Sequence, residues 1–196
     1  MFHRIFDHGN ITVALSVDRR ELPQYACGHV RSITPFWDNA KFDVVFTAEP
    51  IDTYYECDLG ELPWRSIRCH TYSVPLPKAL TAPVVNFTHE GPHTRATEWK
   101  QLPGHGENPY WTTLTVEEPC DYKDNGFERY YPVKTSHAVD SNRELYKQYR
   151  ERAKHDGIHF IGRCGRFVYQ DMSPCVVSTL AQVRKFLAGD TIPIIE

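Results

Sequence analysis

The sequence lacks the features of several common protein classes. It contains no apolar run of about 18 residues, so we expect no segment that spans a membrane. Its formal net charge is -3 and Lys and Arg form no cluster, which argues against a nucleic-acid-binding surface. The first residues contain no continuous apolar stretch followed by small residues, so they do not resemble a secretory signal. We therefore expect a cytoplasmic protein.

Disulfide and metal-binding patterns are also missing. The six cysteines include no CxxC pair, and a chain of 196 residues can bury a core without disulfides, so we predict free thiols. The ten histidines form no HExxH motif, and Cys164 and Cys175 have no further ligands at a recognisable spacing. We therefore predict no metal site.

No glycine-rich dinucleotide-binding turn is present. Gly104 and Gly106 form a lone GxG in a proline-containing loop, without the preceding strand and following helix that such a turn requires.

The patterns that are present predict an α+β fold. Residues 1–128 read as a mainly β domain with an antiparallel or mixed sheet. Its strands are predicted at residues 11–17, 42–47, 64–74, 94–102 and 110–118. In the last strand, side chains alternate between two faces: Tyr110, Thr112, Leu114 and Val116 lie on one face, and Trp111, Thr113, Thr115 and Glu117 lie on the other.

Residues 129–196 read as an αβα segment. A helix is predicted from Asp140 or Ser141 to about Lys154, followed by a strand over residues 158–162. A second helix is predicted from Pro174 to Ala188, with Ser173 as its N-cap. Its apolar residues recur at helical spacing: Val176, Val177, Leu180, Val183 and Leu187.

The segment GRCGRFVYQDM, residues 162–172, concentrates polar chemistry ahead of the second helix. It brings Arg163, Arg166, Tyr169 and Asp171 together around two glycines. Guanidinium groups, a phenol hydroxyl and helix amides are donors suited to phosphate oxygens. The segment therefore predicts a cradle for a phosphorylated ligand.

Five ordered motifs give the chain a resemblance to a known family. They are PIDTYYECDLGELPWRSIRCHTY (50–72), VVNFTHEGPHTR (84–95), TLTVEEP (113–119), RYYPV (129–133) and FIGRCGRFVYQDM (160–172). In this order and with comparable spacing they resemble the UDP-galactopyranose mutases. The resemblance covers nearly the whole chain.

The resemblance implies a flavoenzyme that interconverts the pyranose and furanose forms of a nucleotide sugar, UDP-galactopyranose and UDP-galactofuranose. It implies FAD as the cofactor and a UDP-sugar as the substrate. The protein would hold the diphosphate while its bond to the sugar breaks, which is electrostatic stabilisation of a leaving group. Residues 1–128 would then bind substrate, and the αβα segment would complete the FAD-binding domain.

The resemblance also implies roles for particular residues. Arg95 of the HTR motif matches a residue that contacts the diphosphate, and a tyrosine of the YYP motif falls on Tyr130 or Tyr131. Tyr169 matches a second phosphate-binding tyrosine. The positions that line the flavin side of the family site fall on these residues: Arg163, Asp171 and Met172.

The sequence departs from the family on the cofactor side. The family's glycine-rich flavin-binding region and helical lid have no counterpart here, and TAEPID (47–52) stands where TGPID is usual. Two hypotheses follow. The first is an enzyme: a mutase whose flavin-binding half comes from a separate chain, with a partner chain or a homo-oligomer covering that region, or a reduced mutase that acts on a nucleotide sugar by another route. The second is an inactive nucleotide-sugar-binding protein, which includes a decayed gene fragment.

Overall fold

A computed structural model describes residues 2–17, 24–26, 29–31, 44–106, 108–133 and 139–189. The chain forms two compact units, one of residues 1–46 and 152–159 and one of residues 47–151 and 160–196. The domain boundary predicted between residues 128 and 129 stays a prediction. The helices and strands, in chain order, are α1 Phe2–Phe6, β1 Gln24–Ala26, β2 His29–Arg31, β3 Val45–Thr47, α2 Ile51–Tyr54, β4 Trp64–Val74, β5 Val84–Asn86, β6 Arg95–Glu98, β7 Thr112–Asp121, β8 Tyr131–Pro132, α3 Val139–His155, β9 Ile158–Phe160, α4 Gly162–Gly165 and α5 Met172–Leu187.

The first unit contains α1 and the antiparallel pair β1–β2, in which Tyr25 lies opposite Val30. The strand predicted over residues 11–17 is wrong, because this segment has no regular secondary structure. Leu15 is 83% exposed and Val13 is 52% exposed. None of the described strands pairs with the segment, so its apolar residues have no sheet against which to pack.

The second unit is built on a five-stranded antiparallel sheet of order β5-β6-β7-β4-β8. Strand β4 confirms the predicted strand over its full length, and it pairs with β7 from Arg65 opposite Asp121 to Val74 opposite Thr112. The predicted strand over residues 94–102 is shorter than expected, since β6 ends at Glu98 and a 3-10 turn follows. Strands β3 and β9 form a separate two-stranded parallel sheet. The α+β class is therefore confirmed.

One face of the five-stranded sheet carries the core. Trp64 is 1% exposed, and its ring meets that of Phe167 edge on, with centroids 5.0 Å apart. Ser66 and Leu114 are buried on the same face by register. The predicted alternation along this strand is confirmed only in part. Thr112, Leu114 and Val116 are buried, but Tyr110 precedes β7 and is 75% exposed, and Thr115 on the other face is also buried.

Helix α3 confirms the first predicted helix. Tyr149 is fully buried, and its hydroxyl donates to the Gly60 carbonyl at 2.8 Å and accepts from the Leu59 amide at 3.1 Å. The helix ends before Gly157, which adopts φ +70°, the left-handed conformation that glycine tolerates best.

Helix α5 confirms the second predicted helix but corrects two of its details. Its N-cap is Asp171 rather than Ser173, so Pro174 lies within the first turn, where a missing amide hydrogen costs nothing. The apolar residues are not buried, since Val176, Val177, Leu180 and Leu187 are 49–76% exposed. Helical periodicity predicts an apolar face, but Leu180 on this face is only about half covered and Val176, Val177 and Leu187 are more exposed still.

Five of the six cysteines lie in the described residues, and all five carry free thiols. Among the helices that the structure describes, none is long and apolar enough to cross a membrane.

A buried carboxylate, Asp52, links three parts of the second unit. It is 0% exposed, and its Oδ2 accepts hydrogen bonds from the Leu62 amide and from Trp64 Nε1, each at 3.1 Å. The same oxygen lies 3.8 Å from Nε of Arg129, whose side chain is 10% exposed. The Arg129 guanidinium also lies 4.5 Å from the centre of the Tyr122 ring. Asp52 therefore joins α2 to the start of β4 and to the segment before β8.

A second buried carboxylate, Glu98, fixes the other end of the sheet. It is 0% exposed and accepts from the amides of Ala79 and Leu80, from Thr112 Oγ1 at 2.6 Å and from Gln101 Nε2. Burial opposes ionisation of Glu98, but these hydrogen bonds favour the charged form more strongly and lower its pKa to about 2. The ionised carboxylate thus holds the 79–80 loop against β6 and β7.

Replacing Asp52 should test the first of these links. Asp52→Asn keeps the shape and the acceptor oxygen but leaves Arg129 buried without its counter-charge. We expect a loss of roughly 3 kcal/mol in the free energy of unfolding, measured by urea denaturation. Glu144→Gln on the exposed surface of α3 is the control, with an expected change within about 0.5 kcal/mol. Equal stabilities of the two variants would contradict the role of the ion pair.

Glu98 should make folding sensitive to acid. Its pKa is about 2 in the folded protein against a usual 4.5, so its contribution is complete above pH 4.5 and is lost as the pH falls toward 2. Glu98→Gln should therefore be less stable at neutral pH and should lose less stability than the original protein between pH 5 and about 3, as measured by urea midpoints. The same fall with pH in both proteins would show that Glu98 is not responsible.

Candidate functional site

The GRCGRFVYQDM segment folds as α4, a turn and the start of α5. The segment follows directly after Ile161, whose amide donates a hydrogen bond to the Thr47 carbonyl at 2.9 Å. A Cβ on Gly165 would lie 3.1 Å from the Thr47 oxygen and 3.4 Å from the Glu49 oxygen. Close packing against residues 47–49 thus requires this glycine, whether or not a ligand binds.

Three of the predicted site residues come together at the edge of the sheet. The rings of Tyr131 and Tyr169 are stacked, with centroids 5.8 Å apart and an angle of 22°. The guanidinium of Arg163 lies 4.7 Å from the centre of the Tyr131 ring and 5.9 Å from that of Tyr169. Tyr169 is 57% exposed, so a ligand can reach this cluster from solvent. We name Tyr131, Arg163 and Tyr169 the arginine–tyrosine cluster.

A short series of contacts connects the arginine–tyrosine cluster to the buried Asp52–Arg129 pair. Arg129, the partner of Asp52, precedes the two tyrosines of RYYP, and its carbonyl accepts a hydrogen bond from Cys164 Sγ at 3.6 Å. Cys164 is adjacent to Arg163 in α4. Arg129 belongs to the RYYP motif, but its role follows from its burial beside Asp52, which the sequence does not show.

Arg166 faces the interior rather than the cluster's exposed surface. It is 8% exposed, and its Nη1 has no hydrogen-bond partner among the described residues. The neighbouring Tyr146 has a pKa raised to about 12, because burial disfavours the phenolate more than the charges of Arg150 and Arg166 favour it. A buried guanidinium nitrogen without an acceptor is costly, so an anion reaching Arg166 would satisfy it.

Asp171 and Met172 lie at the first turn of α5. Asp171 is the N-cap residue, although its side chain makes no capping hydrogen bond, and Met172 is 88% exposed. A carboxylate at this position already provides the negative charge that a helix N-terminus favours. Side chains of the arginine–tyrosine cluster are therefore better placed to contact a phosphate than the amides of α5. The predicted flavin contacts of Asp171 and Met172 stay predictions.

Tyr130 and Tyr131 have different surroundings. The Tyr130 amide donates to the Arg65 carbonyl at 3.1 Å, and its side chain is 37% exposed. Burial is the main cause of its raised pKa, and the charge of Glu128 adds to it. No ring contact joins Tyr130 to Tyr169 in the described part of the chain. Of the two alternatives in the YYP motif, the structure brings Tyr131 to the cluster.

Arg95 lies on β6, away from the cluster. Its Nε donates to Asn86 Oδ1 at 3.1 Å, and its Nη1 lies 3.6 Å from Glu117 Oε1. Strand β6 is three strand spacings from β8, a lateral separation of about 14 Å at about 4.8 Å per spacing. Its predicted contact with the substrate diphosphate stays a prediction.

The register nevertheless puts Arg95 and Tyr131 on the same side of the sheet. Arg95 lies opposite Glu117, which lies opposite Cys69, and Tyr131 lies opposite Arg65. Cys69 and Arg65 are four positions apart on β4 and therefore share a face. A ligand long enough to lie across β4 and β7 would contact both ends of this face.

A broad cleft of about 690 Å³ lies elsewhere in the second unit, beside Glu61 and Lys123. These two side chains form an ion pair. None of the predicted site residues lines the cleft. It gives no support to the sequence-based site.

Comparison with known proteins shows that the chain is related to the sugar-nucleotide mutases. A model of the UDP-galactopyranose mutase family matches residues 1–169. The chain belongs to the UDP-galactopyranose mutase family.

Individual relatives agree with this assignment. The UDP-galactopyranose mutases of Mycoplasma genitalium and Mycoplasma pneumoniae are 29% and 27% identical to the chain over 142 and 141 residues, about 70% of this chain and 34% of each relative. A dTDP-fucopyranose mutase of Escherichia coli is 29% identical over 150 residues, 74% of this chain and 38% of that protein. The matches thus span little more than a third of the curated relatives.

Proposed function

We propose that the chain binds the diphosphate of a nucleotide sugar at the arginine–tyrosine cluster and takes part in the interconversion of UDP-galactopyranose and UDP-galactofuranose. The observation that carries the proposal is the convergence of Tyr131, Arg163 and Tyr169 at one exposed edge. These residues come from two separate motifs of the family. Their meeting in the fold supports a shared ligand.

The chemistry of the cluster suits a diphosphate. The guanidinium carbon of Arg163 lies 4.7 Å from the centre of the Tyr131 ring. A guanidinium attracted to an aromatic ring in this way still has several N–H donors to offer to phosphate oxygens. The tyrosine hydroxyls add neutral donors. When the bond between sugar and diphosphate breaks, negative charge grows on the leaving group, and these fixed donors would stabilise it.

Arg95 would contact a second part of the same ligand. It shares a sheet face with Tyr131, but a lateral separation of about 14 Å requires an elongated ligand. A nucleotide sugar has this form, whereas a lone phosphate does not. On binding, Arg95 would exchange its exposed contact with Glu117 for the ligand.

The residues of this chain fit FAD only as a cofactor that is bound mainly by another polypeptide. Asp171 and Met172 are exposed next to the cluster and are accessible to a cofactor, but the sequence has no glycine-rich loop to grip a dinucleotide. Reduced FAD would supply the nucleophile for the anomeric carbon. We propose that a partner chain contributes most of the FAD site, and that the αβα segment completes it.

The exposed face of α5 supports such a partner. Val176, Val177, Leu180 and Leu187 form an apolar surface beginning close to Asp171 and Met172. Large exposed apolar surfaces commonly mark a contact with another protein segment. A flavin-binding portion covering α5 would therefore lie beside the residues that we expect to face the cofactor.

A binding protein without catalytic activity is the alternative. The family mechanism needs a flavin, and the sequence contains no glycine-rich turn followed by a helix to bind a dinucleotide. In that case the cluster would still bind the nucleotide sugar, but no sugar conversion would follow.

Calorimetric titration with UDP-galactose tests the binding site. We expect Arg163→Ala and Arg95→Ala each to weaken binding by roughly 1.5–3 kcal/mol, the range for a hydrogen bond to a charged group. Arg68→Ala is the matched control, because Arg68 lies opposite Glu118 on the other face of the sheet. Unchanged affinity in Arg163→Ala would remove the cluster from the site, whereas unchanged affinity in Arg95→Ala alone would remove only Arg95.

An activity assay separates the enzyme from the binding protein. UDP-galactopyranose would be incubated with the chain and reduced FAD, with and without the portion of the Mycoplasma genitalium relative that lies outside the matched region. We expect UDP-galactofuranose only when that portion is present. Binding without conversion in the completed mixture would favour the inactive alternative, and conversion by the flavin-free chain would contradict the proposed role of FAD.

A further inference from the structure

Two histidines and a glutamate meet on the sheet face opposite Arg95. They are His70 on β4, His93 just before β6 and Glu118 on β7, and their potential ligand atoms all lie within 4.8 Å of one another. None of the three is fully exposed. His70 Nε2 lies 2.7 Å from Glu118 Oε2, and the His70 and His93 rings meet edge on with centroids 5.9 Å apart.

The pairing of the strands explains this meeting. Glu118 lies opposite Arg68, and His70 is two positions further along β4, so His70 and Glu118 are diagonal neighbours on one face. His93 precedes the strand, where the regular alternation of side chains has not begun, and its ring reaches the same face. The three residues are distant in the sequence, which explains why no motif indicated them.

We propose that His70, His93 and Glu118 bind a divalent transition-metal ion, with Zn²⁺ as the preferred occupant. Two imidazole nitrogens and one carboxylate oxygen are a ligand set that suits Zn²⁺ and its neighbours in the first transition series. The proposal departs from the sequence-based expectation of no metal. It concerns a site separate from the arginine–tyrosine cluster.

The geometry requires only small side-chain adjustments. Tetrahedral zinc with bonds of about 2.0–2.1 Å places its ligand atoms about 3.4 Å apart. The present atoms lie within 4.8 Å, so rotation of the rings can close the gap. Arg68 Nη1 lies 3.5 Å from Glu118 Oε1, which leaves Oε2 directed toward the histidines. Such a contact outside the ligand shell orients a metal-binding carboxylate.

A metal at this position would have a structural consequence. His93 ends the loop between β5 and β6, two residues before Arg95, whereas His70 and Glu118 lie on the long central strands. The ion would tie the loop to the sheet. It would leave one or more coordination positions for water, because the protein supplies three ligands.

The test is titration of the full chain, freed of metal by a chelator, with Co²⁺ followed by visible absorption and with Zn²⁺ followed by calorimetry. We expect one ion to bind, with an affinity that depends on His70, His93 and Glu118. His93→Ala should weaken it at least about tenfold, since even residues outside a ligand shell commonly change metal affinity 10–100-fold. Glu118→Gln is a second variant that removes a ligand while keeping the size of the side chain.

His89→Ala is the matched control, because His89 belongs to the same loop but stacks on Phe87, with ring centroids 5.3 Å apart. The metal affinity of His89→Ala should equal that of the original protein. Circular dichroism identifies any variant that fails to fold. If either His93→Ala or Glu118→Gln does not fold, the metal affinity of the other variant tests the proposal. Absence of saturable binding by the original chain, or equal affinity in a folded ligand variant and in the control, would overturn the proposal.

Discussion

The buried contact between Asp52 and Arg129 is the constraint on which the rest of the second unit depends. A fully buried carboxylate needs hydrogen bonds and a counter-charge, and Oδ2 of Asp52 obtains them from two separate segments, residues 62–64 and Arg129. These contacts fix α2, the start of β4 and the segment before β8 relative to one another. They thereby fix the position of the RYYP tyrosines, which follow Arg129 directly in the chain.

The candidate site follows from that arrangement. Arg129 holds the backbone before Tyr131, and its carbonyl receives Cys164 of α4, so Arg163 and Tyr131 approach each other from two motifs. The glycine at 165 allows α4 to lie against residues 47–49. Interior packing therefore positions the cluster, while Tyr169 and Met172 remain exposed to a ligand or a partner.

Local pattern predicted the elements better than their surroundings. The strand Trp64–Val74 follows from its β-branched and aromatic residues, and the helices α3 and α5 follow from helical spacing, because these signals depend on neighbours in the sequence. The exposure of Leu180 does not follow from such signals, since periodicity cannot show what covers a face. The capping of α5 by Asp171 was missed because Ser173 followed by a proline matches the usual start signal.

Long-range contacts were beyond the sequence for a physical reason. The Asp52–Arg129 pair and the His70–His93–Glu118 group join residues far apart in the chain. The tertiary fold brings them together, and the register of β4 with β7 does so for His70 and Glu118. The converse holds for the arginine–tyrosine cluster. Family motifs suggested its members singly, and the fold showed which of Tyr130 and Tyr131 joins Tyr169.

The most direct measurement is a nuclear magnetic resonance titration of ¹³C-tyrosine-labelled chain with UDP-galactose. Tyr131→Phe and Tyr169→Phe would assign the two ring signals by their disappearance. We expect both signals to shift together and to saturate, while that of Tyr110, which is 75% exposed, stays unchanged. A saturable shift confined to Tyr122, which lines the separate cleft, or no shift at any tyrosine, would contradict nucleotide-sugar binding at the arginine–tyrosine cluster.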